Sequence, residues 1–474
     1  MRWREALEPA RMERVAVVAP TDRLRSVLVT IADAGIVQIE RVGDPVRGPA
    51  AEALERVLRR QGAVATQRDA MLDPEAPELA ALEREGPLSV LVGEAELEGV
   101  TSGAVRRDSV AALVGWSPMS AVSELADRLA PLGGSIVVLP LPRGAEPPTL
   151  IVAGGATRVF QPLVDTYATI NYRDVNPSAL AGLAYVVMFG MMFGDVGHGA
   201  LLVAGGLFLR AGRSAALSRL RHLAPFVIGA GLASVMFGFV FGEAFGPTGL
   251  VPTLWQKPLD DPTKLLAVAI AAGAGLLALS YGLGTVNRWR EGGASRALVA
   301  TSGMAGASLY VGLAVVGLGW YWHLLAVEAA GGVLAVTGLG LGFLGLYEEA
   351  GGRASGVMQA GVELFDAVVR IGTNTISFAR LAAFGLTHAA LCMIVWNAST
   401  ALWHKGMFFS ILACAIFFVG NAVTFSLEGL VAGVQAMRLE YYELFSRIFS
   451  TEGLKFRPWH VPIVSSKEAA CSLG

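Results

Sequence analysis

The chain has 474 residues, of which 54% are hydrophobic and only 16% are charged. Soluble proteins carry about 25% charged residues, so this composition excludes an ordinary soluble protein and indicates that much of the chain lies in lipid. The net charge of −2 leaves no basic surplus for a nucleic-acid partner, and none is expected.

The charged residues are concentrated before about residue 175, and the long hydrophobic segments follow it. The sequence therefore predicts two domains, a cytoplasmic α/β domain over residues 1–175 and a membrane domain with a short cytoplasmic tail over residues 176–474. The segment Met1–Arg14 is charged and lacks a hydrophobic core, so no cleaved signal peptide is expected.

Two α/β segments are predicted in the first domain. The first has a strand at 13–20, a helix at 22–34 and a strand at 36–40, and the second has a strand at 111–116, a helix at 119–130 and a strand at 134–139. Between them, residues 43–86 contain four prolines, which predict a short helix near 50–69 and then a broken connection.

Eight membrane spans are predicted after residue 180. They lie near 180–194, 197–212, 223–242, 264–287, 297–319, 322–347, 362–396 and 406–440. The loops after the second and fourth spans are basic (Arg210, Arg213, Arg219 and Arg221 in the former), whereas the loop after the third is mostly acidic. Because cytoplasmic loops carry the excess of basic residues, both termini are expected in the cytoplasm.

Two arginines follow or interrupt apolar segments near the C-terminus. Arg380 lies near the middle of the apolar run 371–396, and Arg438 follows the last one. An arginine at membrane depth costs about 2.5–3.5 kcal/mol on insertion scales, so each needs a charged partner or a water-filled cavity. These two residues are the strongest functional signal in the chain.

Helical periodicity groups other polar residues with Arg380. One stripe is predicted to contain Asp366, Thr373, Ser377, Arg380 and Thr387, with His388 beside its end. One interpretation is that this stripe forms a hydrated polar face that contacts a charged group on a partner protein. The alternative is that Ser and Thr bond to carbonyls of their own helix while Arg380 pairs with a carboxylate for structural reasons.

A second stripe is predicted on the last span, where Glu428, Gln435 and Tyr442 share a face and Arg438 lies on the adjoining flank. Glu428 is a candidate proton relay, since ionisable residues inside membranes mark ion routes. A static salt bridge to either arginine is the alternative. His388 is likewise either a proton relay or a hydrogen-bonded packing residue.

The glycine-rich segment Phe189–Gly199 joins the first two spans. Its glycines lack the order and the preceding strand of a nucleotide-binding loop, so a tight turn between closely packed helices is predicted. Gly194 and Gly197 would permit that packing. Asp195 and His198 would be local hydrogen-bonding or pore-mouth groups.

No catalytic chemistry is predicted for the chain itself. The sequence has no P-loop, no nucleophile with a paired base and no cluster of metal ligands, so neither a cofactor nor a metal is expected. The three cysteines, Cys392, Cys414 and Cys471, have no metal-binding spacing and are expected to be packing residues.

Several parts of the chain resemble subunit a, also called subunit I, of the V/A-type rotary ATPases. Ser377–Leu381 with Gly385, Leu386 and His388 resembles its penultimate membrane helix. The other similar segments are residues 428–439, 443–445 and 453–458 for the last helix and tail, 191–199 for the signature after the first span, and 15–40 and 113–139 for the two lobes of the cytoplasmic arm.

This resemblance implies a mainly α-helical membrane protein, with N-terminal cytoplasmic α/β lobes and a bundle of about eight transmembrane helices, the last two long and facing a proteolipid ring. It implies a stator subunit that forms two ion half-channels, for protons, against that ring. Arg380 and Arg438 would face the ring carboxylate. The residues implied along the ion path are Glu428, Gln435, His388, Asp366, Ser377 and Thr373.

The resemblance also implies partners and a location. The partners are the proteolipid ring, the E/G-type peripheral stalk subunits and membrane lipid, with the central stalk and the ATP-hydrolysing head engaged indirectly. The location is a prokaryotic plasma membrane. Residues 43–86 are too short for the long coiled coil of the family's arm, so a shortened arm is expected. The alternative function is a ring-independent ion or anion transporter whose arginines bind substrate.

Overall fold

The computed structural model describes residues 8–40, 48–61, 70–142, 144–152, 154, 156–212, 220–403, 405–449 and 452–464. Arg213 and Arg219 of the basic loop, Cys471 and the end of the helix predicted near 50–69 lie outside the described residues. Two compact units are present. The sheet unit comprises Pro9–Val152 and Gly453–Gly474, and the helical unit comprises Met1–Glu8 and Ala153–Glu452.

The sheet unit contains five strands and five helices among its described residues. The strands are β1 Met12–Pro20, β2 Gln38–Ile39, β3 Val105–Arg107, β4 Val110–Pro118 and β5 Ser135–Leu139. The helices are α1 Leu24–Ala34, α2 Pro49–Gln61, α3 Leu79–Glu85, α4 Leu88–Ser102 and α5 Met119–Leu129. The strand order is β2-β4-β1-β5, all neighbours are antiparallel, and β3 pairs with the other end of β4.

The two α/β segments predicted from the sequence form one sheet, which corrects the expectation of two lobes. β1 lies between β4 and β5, so both edges of a strand from the first segment are paired with strands of the second. Val17, Leu28, Leu113 and Leu125 from both segments lie in one hydrophobic core. A two-stranded unit is marginally stable by itself, and pooling the strands gives these residues a common core.

Residues 453–464, which follow the helical unit in the chain, pack into the sheet unit. The amide of Trp459 donates to the carbonyl of Val37 at 2.8 Å, and the amide of Val461 donates to the carbonyl of Ala32 at 3.1 Å. Leu72 donates to Pro462 at 2.9 Å, and the Val461 side chain is buried in the core. The C-terminal segment therefore completes the sheet unit.

The helical unit is built from apolar helices. They are α6 Ala156–Tyr167, α7 Ser178–Met192, α8 Val196–Ala211, α9 Ala224–Phe241, α10 Pro262–Val299, α11 Met304–Tyr321, α12 Leu325–Glu349, α13 Ala354–Ser377, α14 Ala379–Trp403 and α15 Met407–Leu439, followed by a π-helical turn at Glu440–Phe445 and the short α16 Ser446–Ile448. In the described residues, six segments are long and apolar enough to cross a membrane, with α13 and α14 counted as one. The predicted eight spans would also require the shorter helices α7 and α8.

The junction of α13 and α14 lies immediately before Arg380. Phe378, the residue between the two helices, is fully buried, and its ring packs against α10 at Gly273, where there is no room for a side chain. This contact fixes the position of the chain two residues before Arg380. The long predicted span 362–396 is thus two helices anchored at their junction.

Glycines let α8 and α9 cross in backbone contact. A Cβ atom at Gly199 would lie 2.7 Å from the amide nitrogen of Val235 and 2.9 Å from the carbonyl oxygen of Gly231. Gly205, on the same helix, has nothing within 4 Å of its Cβ position. The close crossing therefore depends on Gly199 and Gly231.

We expect Gly199→Ala to destabilise the protein by about 1–3 kcal/mol, because the added methyl forces two backbones apart. Gly205→Ala is the matched control, and it should leave stability unchanged or raise it, since alanine is the better helix former. Thermal unfolding midpoints in detergent measure both effects. Equal midpoints for the two variants would contradict the close crossing.

A polar cluster joins the segment before α7 to the end of α10. The amide of Val175 donates to Asn287 Oδ1 at 3.0 Å, and Arg288 pairs with Glu291 at 2.6 Å. Asp174 is completely buried beside these groups. Burial, with the nearby Glu291 carboxylate, raises the pKa of Asp174 from 3.8 to about 7.

We therefore expect the stability of the protein to decrease as the pH rises from about 4 through 7. In that window folded Asp174 keeps a proton that the unfolded chain has lost, so the folded state binds more protons and raising the pH favours unfolding. Asp174→Asn should remove this dependence and unfold at a higher temperature than the wild type above pH 7. Thermal unfolding midpoints of the wild type and the variant at pH 5 and pH 8 measure this pH dependence.

Asp260→Asn, which changes an exposed carboxylate, is the control for this comparison. The wild type and this control should lose the same amount of stability between the two pH values. If Asp174→Asn loses as much as they do, burial of Asp174 is not the source of the pH dependence.

Candidate functional site

The structure brings Arg380 and Arg438 together with a carboxylate. Arg380, in the first turn of α14, interacts electrostatically with Arg438, at the end of α15, and with Glu443 in the turn that follows. Glu443 interacts with both arginines and with the hydroxyl of Ser377. We call these four residues the arginine cluster.

Glu443 reaches this cluster because α15 ends in a π-helical turn over Glu440–Phe445. A π-helical turn bonds residue i to i+5, so residues five apart approach the same face, whereas in an α-helix they point in different directions. Glu443 follows Arg438 by five residues. The sequence analysis did not select Glu443 as a site residue, because a regular helix does not place it there.

The arginine cluster opens on an exposed apolar surface. Along α15 the exposed side chains recur every three or four residues and lead to Arg438, which is also exposed. They are Val419, Val423, Leu427, Leu430 and Val434. A matching stripe on α13 comprises Met358, Val362, Phe365 and Val369 and leads toward Arg380. We call these two rows the exposed stripe.

Arg380 is not fully satisfied within the part of the chain that the structure describes. Its Nη1 is buried and has no hydrogen-bond partner there. A guanidinium has five N–H donors, and a buried one without an acceptor is costly. The arginine cluster can therefore accept a further anionic or carbonyl group.

A second polar group, which we call the histidine cluster, comprises Asp195, His198, His388, Cys392 and Glu428. All five are buried. His388 Nδ1 lies 4.0 Å from Glu428 Oε2, and its Nε2 lies 3.8 Å from Cys392 Sγ. His198 Nδ1 lies 3.8 Å from Asp195 Oδ1, and the two imidazole rings are 5.4 Å apart.

Asp195 holds the turn between α7 and α8 in place. Its carboxylate caps α8 by accepting from the His198 amide at 2.9 Å, and it also accepts from the amides of Phe245 at 3.0 Å and Gly246 at 2.9 Å. Gly194 and Gly197 pack so closely against Phe241 and Phe245 that neither has room for a Cβ atom. The turn is thus tied to the loop that follows α9.

Glu428 belongs with the histidine cluster, and the structure shows no ion pair between it and either arginine among the described residues. Ten residues of helix, about 15 Å at about 1.5 Å per residue, separate it from Arg438. Gln435 lies between them, and its Oε1 is buried without a hydrogen-bond partner in the same described part.

The remaining stripe residues have local partners. Asp366 is exposed and forms an ion pair with Arg370 on the same helix, and it lies fourteen residues, about 21 Å, before Arg380. Thr373 donates to the Val369 carbonyl at 3.2 Å and Ser377 to the Thr373 carbonyl at 2.9 Å. The structure therefore brings Ser377 to the arginines and leaves Asp366 apart from them.

The chain is similar to known proteins over most of its length. Residues 105–262, which include the Asp195 turn, match the model of the V-type ATPase 116 kDa subunit family. Three relatives are each named A-type ATP synthase subunit I. They are from Archaeoglobus fulgidus (24% identical over 73% of this chain and 58% of the relative), Thermococcus kodakarensis (24%, 75% and 54%) and Aeropyrum pernix (27%, 71% and 55%).

The aligned part of this chain spans little more than half the length of these relatives. The alignments nevertheless cover about three quarters of this chain, and they agree with the family model and with the apolar helices. These matches show that the chain is similar to A-type ATP synthase subunit I over most of its length and, over residues 105–262, to the V-type ATPase 116 kDa subunit family.

Proposed function

We propose that this protein is the stator subunit of a V/A-type rotary ATPase membrane sector and forms two ion half-channels, for protons, against a rotating proteolipid ring. The observation that carries the proposal is the arginine cluster, in which Arg380 has a buried Nη1 without a partner in the described residues and Arg438 ends an exposed apolar stripe. The relatives' name, A-type ATP synthase subunit I, supports it.

The charge of the arginine cluster suits a single ring carboxylate. Two guanidinium groups face a single carboxyl group, that of Glu443, so the cluster keeps at least one uncompensated positive charge. Arginine stays protonated at any working pH, so it favours the ionised carboxylate without releasing a proton of its own. In this proposal Arg380 and Arg438 hold each passing carboxylate ionised and block a direct leak between the half-channels.

The exposed stripe fits a protein partner inside the membrane. An isolated apolar stripe would suit lipid equally well, but this one leads to two arginines, and a guanidinium facing hydrocarbon is costly. A ring of apolar helices that each carry one carboxylate matches both the stripe and the arginines. The exposed faces of α13 and α15 are therefore the proposed ring contact.

The two polar clusters suit two offset half-channels. Along α13 and α14 the order is Asp366, Thr373 and Ser377, then Arg380, then His388. His388 meets Glu428 of α15, and Gln435 lies between Glu428 and Arg438. We propose that Glu428, His388 and Gln435 line one half-channel and Asp366, Thr373 and Ser377 line the other, with Arg380 between them.

The sheet unit is the proposed stator contact. In this proposal it lies in the cytoplasm with both termini, binds E/G-type peripheral stalk subunits, and acts on the central stalk and the ATP-hydrolysing head only through the assembled complex. The membrane is a prokaryotic plasma membrane. The ring largely sets the ion specificity, whereas the ion gradient and the soluble head set the direction of the reaction. The relatives' name, A-type ATP synthase subunit I, supports an assignment within such a complex.

The test is ATP-driven proton pumping by the assembled complex in lipid vesicles. Arg380→Ala should reduce pumping to the level measured without ATP, because a ring carboxylate would then enter the interface without its positive partner. The matched control is Arg353→Ala, an exposed arginine directly before α13, and it should pump like the wild type. Co-purification of the ring shows that each variant assembles.

Undiminished pumping by Arg380→Ala with a bound ring would overturn the role of Arg380. Ion or anion flux through the purified chain without any ring would instead establish the alternative, a ring-independent transporter whose arginines bind substrate.

A further inference from the structure

Part of the histidine cluster has the composition of a transition-metal site. Asp195, His198, His388 and Cys392 each offer one ligand atom, and these four atoms all lie within 4.8 Å of one another. Every one of the four residues is buried. We propose that they bind a zinc ion that joins α14 to the turn at the start of α8. This metal site shares His388 with the proposed half-channel, and a bound ion would hold that residue as a ligand and leave Glu428 and Gln435 as the proton-carrying groups there. The site does not depend on the chain binding a ring.

The fold holds the ligands from two distant parts of the chain. His388 and Cys392 are four residues apart on α14 and therefore share one face of that helix. Asp195 and His198 lie at the cap and in the first turn of α8, and three backbone amides hold the Asp195 carboxylate. The nearly two hundred residues between the pairs explain why the sequence predicted no metal site.

The histidines lack the hydrogen bonds that buried imidazoles normally make. Both ring nitrogens of His198 and Nδ1 of His388 are buried without a hydrogen bond of normal geometry among the described residues, although Asn421 interacts with the His198 ring. Most buried polar atoms are satisfied, so three such atoms in one place need an explanation. A metal ion would use one nitrogen of each ring.

The groups around the site can orient the ligating rings. His388 Nε2 faces Cys392, which leaves Nδ1 directed at Glu428 Oε2, 4.0 Å away. Asn421, whose buried Oδ1 has no partner in the described part of the chain, interacts with His198. Carboxylate and amide oxygens commonly accept the second N–H of a metal-bound histidine, and they fix its orientation.

The ligand set selects the metal. A thiolate and two imidazoles with one carboxylate suit zinc and related transition metals, whereas magnesium, calcium and sodium prefer oxygen ligands. Zinc with one ionised aspartate and one thiolate has no net charge, which limits the cost of burying it in an apolar bundle. Ligand atoms around tetrahedral zinc lie about 3.3–3.7 Å apart, given bonds of about 2.0–2.3 Å. Two of the separations are 3.8 Å and all lie within 4.8 Å, so the ligand atoms must approach one another by up to roughly 1 Å to coordinate zinc.

The experiment uses the untagged full chain, purified in detergent, stripped with a chelator and then loaded with Co²⁺ as a spectroscopic substitute for zinc. We expect one Co²⁺ per chain, visible bands of tetrahedral geometry, and a thiolate-to-cobalt charge-transfer band. Zn²⁺ should displace the cobalt and raise the thermal unfolding midpoint, because it binds only the folded state.

Two cysteine variants assign the ligand. Cys392→Ser should abolish the charge-transfer band and weaken binding by more than the 10–100-fold that a lost outer partner typically costs. Cys414→Ser, which changes an exposed cysteine on α15, should keep the band and the affinity. A band that survives Cys392→Ser overturns the proposal. An octahedral spectrum without a thiolate band in the wild type also overturns it, and this holds even if Cys392→Ser does not fold.

Discussion

Burying charge inside an apolar helix bundle is the constraint on which the helical unit depends. Arg380 lies within an otherwise apolar stretch, and no single helix can satisfy it. The antiparallel contact of α14 with α15 brings Arg438 and Glu443 to it, and Phe378, packed against Gly273, holds the start of α14 in register. The π-helical turn after α15 completes the arrangement. The arginine cluster is therefore a product of packing between three helices.

The turn at Asp195 meets the same constraint by other means. Its carboxylate has no ion pair with a lysine or arginine among the described residues and instead accepts three backbone amides, two of them from the loop after α9. In that loop Gly246, which has a positive φ of 93°, lies against α14, and a Cβ atom there would be 3.0 Å from the carbonyl oxygen of Cys392. The short helices α7 and α8 are thereby connected to the helix that carries both Arg380 and His388. Packing in this region and the geometry of the proposed ion path depend on the same few backbone contacts.

Much of this architecture follows from local patterns in the sequence. The apolar runs predict the long helices, and an arginine within or directly after such a run is a candidate functional residue, so Arg380 and Arg438 were selected without a structure. Periodicity also predicts that Thr373 and Ser377 share a face, although it does not say whether they bond to their own helix. The predicted helices and strands of the sheet unit lie within a few residues of the observed ones where the structure describes them, whereas α3, α4 and β3 were not predicted.

What the sequence does not reveal is pairing between distant residues. The sharing of β1 by β4 and β5 depends on contacts about one hundred residues apart, so two lobes were predicted where one sheet forms. Glu443 depends on a π-helical turn, which no helical periodicity predicts. Glu428 was expected near the arginines as one alternative, but the antiparallel course of α14 and α15 places it beside His388.

Two hydrogen bonds have a consequence for the membrane topology of the chain. The Val461 amide donates to the carbonyl of Ala32 in α1, and the Trp459 amide donates to the carbonyl of Val37 after that helix. The segments Pro9–Val152 and Gly453–Gly474 belong to one folded sheet unit although the apolar helices lie between them in the chain, so both segments must lie on the same side of the membrane. The chain between them must therefore cross the bilayer an even number of times. The position of Val461 after the last helix also sets the order of folding during biosynthesis. The sheet unit can acquire this core residue only after every membrane crossing has been synthesised.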